Sequence, residues 1–182
     1  MKLLIYCTKG KPYLLAQRDF SYELKYENEY KDIALNGYIV AECDVECIEK
    51  WQWNGWWDCY AKNEDMGILT IEDQLTKSCL TNRDLIRYGK YEPLYGLHLS
   101  NIEPFKEKYK IEDCWQYRCY NTRMKCAPQN MCQVYGKNGE PYILISINPE
   151  WVCKILNGEK TIEVRKSILN SMKLFLQRRY LK

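Results

Sequence analysis

The chain has 182 residues, enough for one well-cored domain or two very small ones. Hydrophobic residues make up 46% and charged residues 28%, a balance unlike that of a disordered chain, and no apolar run approaches the length of a membrane span. The net charge of +3 is too small by itself to imply a polyanionic partner.

Lys2–Thr8 (KLLIYCT) reads as a first strand, stopped by the turn Lys9-Gly10-Lys11-Pro12. No leader-like apolar segment precedes it, so the expected location is cytoplasmic, with no membrane partner. Residues 19–32 are polar and tyrosine-rich and read as an excursion. After the turn signal Asn36-Gly37, the run from Tyr38 to Val45 passes from continuous to alternating apolarity and predicts a second strand. Trp51–Asp58 (WQWNGWWD) carries four tryptophans and predicts an aromatic loop or strand edge. Such a cluster either stacks on bases or plugs a core, and Trp51 and Trp57 are assigned to the plug.

Thr70–Leu80 is helix-like, and Thr81-Asn82-Arg83-Asp84 offers a capping box to a short helix that stops near Gly89. Ser78 and Cys79, near the end of the first of these, either reach a cleft from that helix or are structural, and the structural reading of Cys79 is favoured. Leu94–Ile102 alternates and predicts a third strand. It holds the single histidine, His98, read as a strand residue rather than a catalyst. Residues 103–139 predict a linker or insertion: apolar residues there are sparse until the turn Gly136-Lys137-Asn138-Gly139.

That segment contains Cys114, Cys119, Cys126 and Cys132, part of a total of ten cysteines. Their spacing lacks the tight Cys-x2–4-Cys knuckle of structural zinc sites, so the expectation is no metal and no cofactor, with zinc at these four as the weaker reading. Without a signal peptide the thiols are expected to stay reduced.

The strongest strand signal is Tyr142–Ile147. Asn148-Pro149-Glu150 then opens a helix with Trp151, Val152, Ile155 and Leu156 on one face, and Asn157-Gly158 closes it. Thr161–Arg165 alternates as a further strand. Residues 167–182 predict a basic C-terminal helix, capped by Ser167 and carrying Arg178, Arg179 and Lys182 at its end. Lys154–Lys182 holds eight Lys/Arg against two Glu, and Glu42–Asp73 nine acids against two Lys. This asymmetry either steers an anionic ligand or marks two solvated faces, and charge alone favours the second.

The segment LISINPEWVCKILNGEKTIEVRK, ending at Lys166, resembles the opening motif of the ASCH family of PUA-like domains. That motif is a strand ending in a Ser-x-x-Pro-like turn, a short helix, Gly-x-Lys, and a strand with Glu-x-Arg; Gly158, Lys160, Glu163 and Arg165 match it residue by residue. The family's motif is N-terminal, whereas here it lies late, so the resemblance implies a circularly permuted order in which Lys2–Thr8 is the strand beside Thr161–Arg165. It implies one α+β domain over residues 1–182: a small, mixed, partly closed PUA-like β-barrel with flanking helices.

The resemblance also implies RNA binding in a cleft. Some small members are acetylcytidine amidohydrolases that use the motif lysine, a threonine three residues on, and a later glutamate. Lys160 matches the lysine, but Glu163 stands at the threonine position and Thr161 is out of register. Short chains of this kind also look like phage or mobile-element products.

Two residues apart on a strand, Glu163 and Arg165 share a face. With Lys160 they form either the polar floor of a cleft or an ion-paired strand face. Thr8 and Lys9 add a hydroxyl and a positive charge to the same rim, or belong to a solvated turn. The leading expectation is a module that binds RNA or a modified nucleotide through Lys160, Glu163, Arg165, Lys9 and Thr8. One alternative is a hydrolase of a nucleoside or acylated base, with Lys160 and Glu163 catalytic. The other is a protein-interaction module built on the tryptophan cluster.

Overall fold

The computed structural model describes residues 1–8, 37–60, 70–110, 131–136 and 139–172. It is a mixed α+β structure whose contacts divide the chain into two compact units. One comprises Lys2–Cys43 with Asn101–Asn157; the other is Met1, Asp44–Ser100 and Gly158–Lys182.

In the first unit, β1 (Lys2–Cys7) runs parallel to β6 (Pro141–Ile147), from Leu3 opposite Ile143 to Cys7 opposite Ile147. β5 (Met131–Tyr135) joins β6 antiparallel. Both β1 and β6 are nearly continuous apolar runs because both of their faces are covered. Leu4, Tyr6, Ile39, Cys132, Val134, Tyr142 and Leu144 form a core against which Phe105 and Tyr109 pack. The helix Pro149–Leu156 starts with proline at its first turn, where the missing N–H costs no hydrogen bond, and buries Val152 and Ile155.

The second unit takes most of β2 (Ile39–Trp53), β3 (Trp57–Tyr60), the helices α1 (Ile71–Ser78) and α2 (Asn82–Gly89), the first part of β4 (Leu94–Tyr109), and β7 (Ile162–Arg165). β2 and β3 form a hairpin in which Trp53 faces Trp57. β4 pairs antiparallel with β7, from Tyr95 opposite Arg165 to His98 opposite Ile162. The core of this unit is Trp51, Trp57, Leu85, Leu94, Ile162 and Val164, closed by Trp53, Ile71, Leu75 and Leu80. Fully burying each such side chain contributes about 1.5–3 kcal/mol.

The short helices owe their ends to local chemistry. The Thr81 side chain accepts from the Asp84 N–H at 3.2 Å while the Thr81 N–H donates to Asp84 Oδ2 at 2.9 Å, the reciprocal box expected from the sequence. The Thr81 hydroxyl, which donates to Asp84 Oδ2 at 2.6 Å, and then the Thr81 N–H hold the Asp84 carboxyl below its ordinary range. Thr70 caps α1 by accepting from the Asp73 N–H.

The strand order is β5-β6-β1-β2-β4-β7, with β3 on β2. This corrects two expectations. The order is an open path ending at β5 and β7, so the sheet is not closed into a barrel. The described pairings give β1 the neighbours β6 and β2, and give β7 the neighbour β4. The adjacency of Lys2–Thr8 to Thr161–Arg165 that the permuted order requires is therefore not found among them.

Two elements are longer than their sequences suggest. β2 continues past Val45 to Trp53 because its odd positions stay buried even where one of them is the acid Glu49. β4 runs on to Tyr109, and β5 follows at Met131, inside the stretch expected to be a linker. There, two widely spaced aromatics, Phe105 and Tyr109, supply the packing that a denser apolar pattern would have signalled. The described part of the expected C-terminal helix is a helical turn at 170–172; its basic end lies outside the described residues. No helix among the described residues is long and apolar enough to cross a membrane.

Candidate functional site

The residues around Lys160 are clamped from two sides. The Thr161 N–H donates to the Lys77 carbonyl at the end of α1 at 2.9 Å, and the Thr161 carbonyl accepts from the Leu99 N–H in β4 at 2.8 Å. Glycine at 158, with φ +76°, provides the left-handed residue that starts this approach. The clamp directs the Lys160 side chain inward, where it is 2% exposed and its Nζ donates to the Ser78 carbonyl at 2.6 Å. Ser78 thus contributes its backbone oxygen, one of the carbonyls an α-helix leaves unbonded at its C-terminus.

From Lys160 a charge chain runs outward. Glu163 Oε2 lies 3.5 Å from Lys160 Nζ, and Glu163 Oε1 lies 3.0 Å from Arg165 Nε. Glu163 is buried, and the Arg165 side chain is 15% exposed. In the β4–β7 register Glu163 and Arg165 face Leu97 and Tyr95, while Ile162 and Val164 point to the tryptophan core. One four-residue strand therefore anchors a core with one face and presents a fixed guanidinium with the other.

Burial lowers the Lys160 ammonium below its ordinary value, and the Glu163 carboxylate opposes that shift. Tyr88, on the last turn of α2, joins the same neighbourhood. Burial raises its phenol, the Arg165 charge opposes the rise, Glu163 adds to it, and a backbone hydrogen bond with Lys166 opposes it. The Lys166 ammonium sits over the Tyr88 ring, 4.9 Å from its centroid.

The structure brings Lys160, Glu163 and Arg165 together. Thr8 lies in the other unit, where its hydroxyl donates to Asn148 Oδ1 at 3.3 Å. Lys9 lies outside the described residues, as do Lys11, Cys114, Cys119 and Cys126; Cys132 is buried in β5. Cys7, Cys43, Cys47, Cys79, Cys132 and Cys153 form no disulfide, and no group of three metal-ligating side chains occurs among the described residues. Cys79 is half-buried and donates to the Glu159 carbonyl.

Sequence reasoning missed a second buried polar cluster. Glu49 accepts from Trp51 Nε1 at 3.0 Å and from Gln74 Nε2 at 3.4 Å, and its Oε1 lies 3.1 Å from His98 Nε2. His98 and Ile162 are paired, so His98 faces away from Glu163. The available signal was period: Cys43, Val45, Cys47 and Trp51 are buried at every second position, and Glu49 falls in that series.

Comparison with family models, curated proteins and solved structures gives no match.

Proposed function

We propose that this chain is an RNA- or nucleotide-binding module that uses Arg165 as its primary anion and base-edge contact. The observation that carries the reading is the ordered chain Lys160–Glu163–Arg165. Lys160 is a positioning residue: buried and bonded to the Ser78 carbonyl, it holds the Glu163 carboxylate. Glu163 in turn holds Arg165 Nε, and a guanidinium oriented in this way suits a phosphate or the Hoogsteen edge of guanine. Lys166 adds charge and Tyr88 a planar surface beside it. The local motif resemblance from Gly158 to Arg165 to ASCH domains supports the same ligand class, whereas the open sheet lacks the partly closed barrel that the resemblance implies.

The hydrolase reading has one supporting observation, the lowered Lys160 ammonium. With Nζ bonded to Ser78 and 2% of the residue exposed, it requires this side chain to be uncovered before it meets a substrate.

The test is binding of short RNAs, mononucleotides and modified nucleosides to wild type and Arg165→Ala, with the same mixtures assayed for product. Binding that weakens about tenfold or more in Arg165→Ala, and that weakens with salt, is expected. Product formation abolished by Lys160→Met would replace the binding module with the enzyme.

A further inference from the structure

The large apolar side chains left exposed among the described residues are Trp56 (66%), Tyr91 (57%) and Tyr88 (40%). All three belong to the second unit, on two segments. Trp56 lies in the three-residue turn of the β2–β3 hairpin, where its carbonyl accepts from the Asn54 N–H. Tyr88 and Tyr91 bracket the C-terminal end of α2.

Tyr91 is linked through Trp53 to the hairpin that carries Trp56. Trp53 packs on Tyr91 with centroids 5.3 Å apart, and on Trp57 edge-on at 5.5 Å. Trp51, fully buried, and Trp57, 2% exposed, root this aromatic row in the core, so the exposed end rests on rigid support. Tyr91 is placed by two consecutive left-handed residues, Lys90 at φ 55° and Tyr91 itself at φ 65°. Each costs about 1–2 kcal/mol for a side chain with a Cβ, and a glycine would avoid that cost.

Exposed Arg83, Arg87 and Lys90 lie on the same helix and its cap, and Lys166 lies over Tyr88. Of the nearby acids, Asp84 is tied into the Thr81 box, Glu163 is paired with Lys160 and Arg165, and Glu92 follows Tyr91. Planar faces interleaved with cations match the repeating base and phosphate of an unpaired strand, whereas a protein partner would need no such charge excess.

We propose that the hairpin tip and the C-terminal end of α2 form a stacking platform for single-stranded nucleic acid, with Trp56 and Tyr91 as the stacking faces and Arg87, Lys90 and Lys166 as phosphate contacts. This deepens and rests on the nucleic-acid reading of Arg165: the ligand class becomes an extended single strand rather than an isolated nucleotide. Lys166 covers one face of Tyr88, so that ring links the platform to Arg165 rather than taking a base.

The test is titration of the full chain with twelve-nucleotide oligo(U), oligo(dT) and a duplex of the same length, read by tryptophan fluorescence and anisotropy. UMP serves as the single-nucleotide probe. Wild type is expected to bind the single strands with quenching and to prefer them to the duplex. Trp56→Ala and Tyr91→Ala are each expected to weaken oligomer binding by roughly 5- to 150-fold, the range for one lost stacked base, while leaving UMP affinity unchanged. Trp56→Phe is expected to retain most of the affinity. Arg87→Ala with Lys90→Ala is expected to flatten the slope of log affinity against log salt by about 1.4, the value for two phosphate contacts on a single strand.

Oligomer binding unaffected by Trp56→Ala and Tyr91→Ala overturns the platform. So does a lack of oligomer binding while UMP binds through Arg165; the Arg165 reading stands in that case, and in the first case when Arg165→Ala weakens oligomer binding. Oligomer binding lost in Trp56→Ala but unchanged in Arg165→Ala supports the platform and removes the Arg165 site. Binding of neither probe overturns both.

Discussion

Lys160→Met isolates the group on which the candidate site rests. Methionine keeps the length of the apolar stem and removes the ammonium, which is 2.6 Å from the Ser78 carbonyl and 3.5 Å from Glu163. Losing one partner of a buried ion pair costs about 3–5 kcal/mol, because the remaining charge stays buried. Arg165 still lies 3.0 Å from Glu163, and methionine refills the space, so the expected loss is at the lower end, about 3 kcal/mol. With an m-value of about 2 kcal/mol/M, the urea midpoint falls by about 1.5 M.

The same variant has a pH signature. Burial lowers the Lys160 ammonium below 10.5, its ordinary value. Between the folded value and the unfolded one, the unfolded chain binds more protons. Stability contributed by this group is therefore smaller at low pH and increases as pH rises through that window. Lys160→Met abolishes the slope, so its deficit relative to wild type is expected to grow from pH 7 towards pH 10. The assay is urea unfolding followed by tryptophan fluorescence at stepped pH. A loss below about 1 kcal/mol, or a deficit that shrinks as pH rises, refutes the buried, charge-anchoring role.

Gly96→Ala places a Cβ 2.8 Å from Trp51 Cζ2, against a ring that is fully buried. A loss of about 1–3 kcal/mol with altered near-ultraviolet circular dichroism is expected, and an unchanged melting curve would contradict the close approach. Glu49→Leu leaves the buried donors of Trp51 and Gln74 without their acceptor and is expected to cost about 2–6 kcal/mol, about 1–3 for each. Glu49→Gln keeps an acceptor and is expected to cost about 1–2 kcal/mol; equal losses in the two would show that hydrogen bonding does not dominate. Burial pushes the Cys7 thiol up to about 12, so brief alkylation at pH 8 followed by peptide mass mapping is expected to mark Cys79 and Cys153 well before Cys7. Equal labelling would show that the first strand opens readily.

Much was legible in the sequence where the code is local. The Thr81–Asp84 box, proline at the start of the helix 149–156, and the apolar runs of β1 and β6 are short-range patterns, and the structure has each where the residues place it. The burial of Trp51 and Trp57 was also readable, as was the shared face of Glu163 and Arg165, which follows from the two-residue period of a strand.

Strand partners were not readable. A strand's sequence records which of its faces is buried, but not which distant strand supplies its hydrogen bonds. The β1–β6 and β4–β7 pairings and the open sheet order were therefore decided only in three dimensions. The same holds for charge. Lys160 and Ser78 are 82 positions apart, and Glu49 and His98 are drawn together from β2 and β4. The sequence alone determined that these side chains are ionisable or polar. Only tertiary packing removed their water and made each the other's partner, because the cost of burying a charge depends on what surrounds it.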